Sequence, residues 1–380
     1  MNVTGDWLTH PGTQALCHAL ESAGHQALLV GGCVRNALLG VAVSDIDIAT
    51  DAHPETVTQL AKAAGFRVVP TGIDHGTVTV IAKGTPHEVT TFRRDVETDG
   101  RRAVVAFATD LVEDAARRDF TMNALYADAR GQVIDPLGGL PDLIARRVRF
   151  VGDAHSRIRE DALRILRFFR FHAHYGDPEQ GIDAEGLAAC AELADGIDTL
   201  SRERIGAEMR KLLAAPDPAP AIAAMAATGV LHRVLPGADA QALAPLVYLE
   251  AGLTLRWQRR LLVLGGQDPT DGLRLSRAEA ALHHAMRDQI GTTLRPAALG
   301  FTLGAEAAQD VILGRAALLE APLPPNWAAD TQRGAQTAFP VAAADFMPDL
   351  QGPALGAHLK TLQSRWLASD LTLTRKDLMS

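Results

Sequence analysis

Strand-like and helix-like segments alternate along this chain only as far as about residue 151, and beyond that point the pattern is helical to the end. That change reads as an α/β or α+β head followed by a helical remainder, an α+β fold for the whole chain. A chain of 380 residues is also too long for one ordinary core, so two or more domains are expected. In the head, QALLVGG (26–32) reads as a strand and CVRNALLG (33–40) as a short helix. DIDIAT (45–50) reads as a strand, and 54–64 as a helix opened by Pro54. FRVVP, TVTVIAKG and HEVTTFR predict three further strands, with Gly84-Thr85-Pro86 turning between the last two. RRDVETDGRRA (93–103) is polar, charged and loop-like, VVAFA is a strand, helix resumes near Leu111, and VIDPLGG is a strand entering a turn. Later segments such as EDALRILRFFRFHAHY (160–175) and SRERIGAEMRKLLAA (201–215) have helical spacing, and proline clusters at 216–221 and 321–328 make natural joints.

No run of some eighteen apolar residues is present, so no transmembrane helix is expected. The first residues lack the basic and apolar regions of a signal peptide. Cys17, Cys33 and Cys190 stand far apart without CxxC spacing, which fits a reducing cytoplasm and argues against disulfides or structural zinc. His283-His284 is an isolated pair with no carboxylate at ligand spacing.

The strand DIDIAT carries a chemical problem. Residues i and i+2 of a strand share a face, so Asp45 and Asp47 project together while Ile46 and Ile48 enter the core. Two adjacent carboxylates repel, and a hard divalent cation such as magnesium relieves them. Two such ions ~3.5–4 Å apart could be bridged by the pair and clamp a phosphoryl displacement. A bare pair of this kind also suits a strand end at the surface. The surroundings favour chemistry: Gly31 and Gly32 stand where a strand passes into a helix, allowing backbone N–H groups to approach phosphate oxygens, and Arg35 on the first turn could hold a triphosphate.

The net charge of −8 argues against broad nucleic-acid binding, but charge is uneven. Between Arg146 and Arg170 eight arginines face three acids (Asp153, Glu160 and Asp161), a local surplus of five. Such a stripe can meet phosphates, or can be a solvated helix face.

Taken in order, GGCVR…DIDIAT (31–50), RRDFTMNAL (117–125), DPLGGLPDL (135–143), EDALRILRFFRF (160–171) and SRERIGAEMRKLL (201–213) resemble the five motifs of the class II tRNA nucleotidyltransferase and poly(A) polymerase family, within the polymerase-beta superfamily. The resemblance covers about residues 25 to 235. Position 36 departs from it, with Asn36 where the family usually has Asp. It implies a polymerase-beta-like nucleotidyltransferase head over 1–145, a helical neck with a nucleotide-recognition helix over 146–215, a helical body over 216–320 and a tRNA-binding helical tail over 321–380. It also implies two Mg2+ ions on Asp45 and Asp47. Glu88 is either a third acid at that site or a surface or supporting acid. Arg118, Asp119 and Asn123 would contact triphosphate and ribose, with Asp119 accepting from the 2′-OH; an N-cap role is the alternative for Asp119.

The resemblance further implies that Asp161 and Arg164, with Arg167 and Arg170 nearby, select the base. Residues 161, 164 and 167 would share one helix face within a ~120° arc. An acceptor and a donor there satisfy cytosine and adenine and reject uracil and guanine. An Asp161–Arg164 ion pair within the helix is compatible with that role. The 93–103 loop, with Arg93, Arg94, Arg101 and Arg102, resembles a flexible loop of family members that finish with adenosine, and is otherwise a solvated segment. The implied function is cytoplasmic, template-independent addition of CCA to the tRNA 3′ end from CTP and ATP, releasing pyrophosphate, with tRNA as partner and no obligate protein partner. The tRNA would be held by the helical regions after 151, the arginine stripe lying nearest its 3′ end. A poly(A) polymerase, a CC-only or A-only enzyme, and an inactive RNA-binding relative are the alternatives.

Overall fold

The computed structural model describes residues 1–73, 76–96 and 104–380. They form two compact units, Met1–Leu200 and Ser201–Ser380.

The first unit is built on a seven-stranded mixed sheet of order β3-β4-β5-β2-β1-β8-β9. Its strands are β1 (Leu28–Val30), β2 (Ile46–Thr50), β3 (Arg67–Gly72), β4 (Thr77–Ala82), β5 (Thr85–Thr91), β8 (Tyr126–Ala127) and β9 (Val133–Ile134). A separate two-stranded sheet joins β6 (Arg93–Val96) to β7 (Val104–Phe107). Central β2 runs antiparallel to β1 and parallel to β5. The alternating pattern of TVTVIA buries Val78, Val80 and Ala82 in β4, and Ile46, Ile48 and Ala49 are buried in β2. The helix Pro54–Ala63 opens on Pro54 as expected. Helix Leu163–Tyr175 packs by its phenylalanines: Phe168 stacks on Phe150 at 5.3 Å, and Phe171 meets Phe120 at 4.8 Å.

Four local expectations need correction. The β4–β5 turn is Lys83-Gly84, both with positive φ (48° and 88°), the backbone that a tight two-residue hairpin demands. Thr85 and Pro86 therefore belong to β5, and Pro86 lies before the first β2 partner, His87, where its missing N–H costs no ladder bond with that strand. Arg93–Val96 is a strand and not a loop, because Val104–Phe107 gives it a partner and the Asp114 carboxylate accepts from the Arg93 N–H. The rest of the expected loop, Arg101 and Arg102 included, lies outside the described residues. Asp45 stands just before β2 and not within it, and is exposed. Finally, Asp161 is not helical. Its backbone is extended (φ −154°, ψ 105°), and it separates helix Ala154–Glu160 from helix Leu163–Tyr175. The Asp161 carboxylate accepts from the Leu163 N–H at 3.1 Å, and such a side-chain cap competes with a continuous helix.

The second unit is helical. Helices Pro296–Leu303 and Trp327–Gln336 approach so closely that a Cβ on Gly334 would sit 1.9 Å from the Ala297 carbonyl oxygen. A buried ionic network crosses this unit. Arg259 bridges Glu250 and Asp310, and Arg260 joins Glu250 to the carbonyls of Leu213 and Pro216 at 2.6 and 3.1 Å. Buried guanidiniums survive because every one of these acceptors is in place. The three cysteines are free and buried. Among the described residues no helix is long and apolar enough to cross a membrane.

Candidate active site

Three pieces of the first unit carry the predicted residues: the glycine turn with β2, the segment 114–126, and the helix beginning at Leu163. Gly31 takes φ 68°, ψ −116°, and caps the helix Gly32–Leu38. A Cβ there would lie 3.4 Å from Arg118 Nη1, so the absent side chain leaves the approach to that guanidinium open.

Asp47 and Glu88 are register partners in the parallel β2–β5 pair. Burial, then the Glu88 carboxylate, push the Asp47 carboxyl up to about 6; Asp45 adds to the rise and Arg118 opposes it. Ser44 Oγ donates to Asp45 Oδ2 at 2.9 Å. Among the described residues no three His, Cys, Asp or Glu side chains gather tightly enough to hold a metal ion by themselves. Even so, the donor chemistry of Asp45 and Asp47 fits magnesium. These are hard oxygens, their charge accumulates against a half-buried group, and magnesium completes its shell with water and phosphate oxygens.

Arg118 is fixed from behind. Its Nη2 donates to Asp114 at 3.0 Å and its Nε to the Tyr126 hydroxyl at 3.0 Å, while that hydroxyl donates to Asp114 at 2.7 Å. Burial raises the Asp114 carboxyl, but Arg118 and Arg117 outweigh it and hold the group below the usual range. Asp114 and Tyr126 were missed in the sequence, although the i,i+4 spacing of Asp114 and Arg118, at the end of helix Leu111–Ala116, was a usable signal.

Asp119 is buried. Its Oδ1 accepts from the Phe120 N–H and from Asn123 Nδ2, both at 2.9 Å, and its Oδ2 accepts from Arg167 Nε at 2.7 Å. Burial raises its carboxyl, yet Arg167 and these bonds bring it below the ordinary value. It therefore does bond a local N–H, and it also ties the second motif to the helix carrying Arg164. Arg35 is only 6% exposed. It donates to Asn36 Oδ1, Asn123 Oδ1 and the Tyr175 hydroxyl, so Asn36 keeps contact with its neighbour.

Arg164 engages Glu160 by a short ion pair and donates to the Arg157 and Arg117 carbonyls at 2.8 and 3.1 Å. The single helix face expected for 161, 164 and 167 is thus replaced by a bend, with Asp161 between the two helices and Arg164 on the first turn of the second. Arg170 lies 4.7 Å from the Phe171 ring. Much of the arginine stripe is committed inward: Arg147 and Arg149 pair with Asp142, Arg157 with Glu160, and Arg167 with Asp119. Asp142 also accepts from Thr121 at 2.8 Å, which gives the third motif a bracing role behind the second.

This arrangement defines a nucleotidyltransferase head. A family model described as "Poly A polymerase head domain" matches residues 27–149, and one described as "Probable RNA and SrmB- binding site of polymerase A" matches residues 181–241. The CCA-adding enzyme of Geobacillus kaustophilus is 38% identical over 329 residues, covering 81% of this chain and 78% of that protein. The human mitochondrial CCA tRNA nucleotidyltransferase 1 is 42% identical over 203 residues, covering 53% of this chain and 47% of that protein. The chain thus spans about half the length of that relative. The Bacillus stearothermophilus CCA-adding enzyme, solved in complex with CTP, shares the fold at a TM-score of 0.74 with 31% identity, covering 94% and 93% of the two chains. The chain belongs to the CCA-adding enzyme family of tRNA nucleotidyltransferases.

Proposed function

We propose that this chain adds CCA to the 3′ end of tRNA from CTP and ATP, without a nucleic-acid template, releasing pyrophosphate. The observation that carries the reading is the meeting of Asp47, Asp45, Glu88 and Arg118 in one electrostatic cluster at the head of β2. Four relatives supply context: the Geobacillus enzyme is named CCA-adding, and solved relatives were captured with CTP, with ATP and, for Thermotoga maritima, with tRNA-CCA.

The residues divide the work. Asp45 and Asp47 would hold magnesium, two ions in this reading, with Glu88 at the edge of the site. Bound there, the metal supplies charge neutralisation at the reacting phosphate and a more acidic attacking hydroxyl. Arg118, held by Asp114 and Tyr126, presents a fixed cation to the triphosphate. Asp119 accepts from the ribose 2′-OH while Arg167 and Asn123 keep it ionised and oriented. Asp161 accepts from the exocyclic amine of cytosine or adenine, and Arg164 donates to the adjacent ring nitrogen. Uracil and guanine leave both groups with the wrong partner. The helical neck, body and tail, within 146–380, hold the acceptor and T arms by shape and backbone contacts.

The test supplies tRNA lacking CCA with one labelled nucleotide at a time. CMP should enter first, AMP only after two CMP residues, and UMP and GMP not at all. A second reading, poly(A) polymerase, is favoured by the description of the matching head-domain model. It predicts ATP-only extension of any RNA 3′ end.

A further inference from the structure

Arg35 is a buried cation whose hydrogen-bond partners are all neutral. Its Nε and Nη2 donate to Asn36 Oδ1 at 3.1 and 2.8 Å, its Nη1 to Asn123 Oδ1 at 2.5 Å, and its Nη2 also to the Tyr175 hydroxyl at 2.8 Å. Among the described residues no carboxylate hydrogen-bonds this guanidinium. Its other support is aromatic: the Arg35 Cζ lies 4.0 Å from the Tyr175 ring centroid and 5.1 Å from that of Phe171. The same Phe171 ring has Arg167 at 5.4 Å and Arg170 at 4.7 Å. Three guanidiniums from two elements are therefore drawn around one aromatic pair. The Asp119 carboxylate supports the charge only from a distance, through Asn123, and a buried charge with no directly bonded counter-ion is costly. One Nη1 hydrogen of Arg35 is not used by these bonds, and the residue sits one helical turn beyond the Gly31-Gly32 opening.

We propose that Tyr175 is a positioning residue for the nucleotide triphosphate: by its hydroxyl and its ring it holds Arg35 charged and aimed, and so couples the glycine turn to the C-terminal end of the helix that carries Arg164. This rests on the reading of the site as a nucleotide-binding one. Tyr175 acts through Arg35 on the phosphates, which CTP and ATP share, so its effect should be equal for both. A neutral clamp leaves the charge of Arg35 available, which an ion pair with a carboxylate would not.

The experiment compares the full-length chain with Tyr175→Phe and Tyr175→Leu, measuring CTP and ATP affinity by titration calorimetry with magnesium, and KM and kcat on tRNA lacking CCA. Tyr175→Leu should weaken both nucleotides about tenfold, with kcat far less affected and CTP-over-UTP preference unchanged. Tyr175→Phe keeps the stacked ring and should fall between. Wild-type affinity and KM in folded Tyr175→Leu would overturn the assignment, as would a loss confined to thermal stability or to one nucleotide. If the wild-type chain binds CTP without transferring it, the CCA reading fails while the affinity comparison still decides the role of Tyr175.

Discussion

Asp47 on β2 and Glu88 on β5 face each other as register partners of the one parallel strand pair among the described residues. Burial, and then repulsion from Glu88, push the Asp47 carboxyl up to about 6. The sign follows: a carboxyl raised on folding costs stability when ionised, so the cost is full above about pH 6, shrinks as pH falls below that value and is gone only below the ordinary value of 3.8.

Asp47→Asn should therefore abolish nucleotide addition while raising the Tm of the metal-free protein at pH 7 by a few degrees. The gain should shrink to roughly half at pH 5, where wild-type Asp47 is protonated in the folded state but still ionised when unfolded. Scanning calorimetry at the two pH values, alongside the transfer assay, checks both halves. A less stable variant that still transfers CMP would contradict the role given to this residue.

Asp119 is tied to Arg167 and Asn123 and is read as the acceptor for the ribose hydroxyl. Asp119→Asn keeps the shape but loses the charge that Arg167 faces. Discrimination of CTP over dCTP, as a ratio of kcat/KM, should fall roughly tenfold or more, since one charged hydrogen bond is at stake. An unchanged ratio would move the ribose contact elsewhere.

Arg164→Ala removes the donor of the base-reading pair and leaves Glu160 with Arg157. Rejection of UTP and GTP should weaken together with use of CTP and ATP. The matrix of four nucleotides against wild type and variant decides it: preserved rejection of UTP and GTP would refute the hydrogen-bond account of selection.

In the second unit His283 is 3% exposed, and neither ring nitrogen has a hydrogen-bond partner among the described residues. Burial, helped by Arg287 and His284, lowers its pKa to about 4. A histidine depressed on folding lends stability above the unfolded value near 6.5, and that stability is lost as pH falls toward 4, up to roughly 3 kcal/mol. Urea midpoints at pH 7.5 and pH 5 should differ less in His283→Gln than in wild type. Parallel pH dependence in the two proteins would show that His283 is not the responsible group.

The head was legible because its signals are local. Alternating TVTVIA, Pro54 opening a helix, and the glycine pair each announce an element within a few residues. The strand that carries Asp47 was legible for the same reason, although Asp45 falls just before it. What sequence patterning misplaced depends on distant partners or on side-chain competition. Arg93–Val96 becomes a strand only because Val104–Phe107 lies beside it. Helical spacing over 160–171 is unbroken in composition, and the bend at Asp161 comes from its carboxylate capping Leu163. Tyr175 gave no signal at all, since its relation to Arg35 spans 140 positions. The arginine stripe was visible as charge, but the carboxylates of Asp119 and Asp142 that absorb much of it come from other segments.

The most direct measurement supplies all four nucleoside triphosphates at once to tRNA ending at the nucleotide before CCA, with the full-length chain and magnesium, and sequences the 3′ ends. The account predicts addition of C, C and A followed by arrest. A homopolymeric adenosine tail, or uridine or guanosine within the added nucleotides, would contradict it.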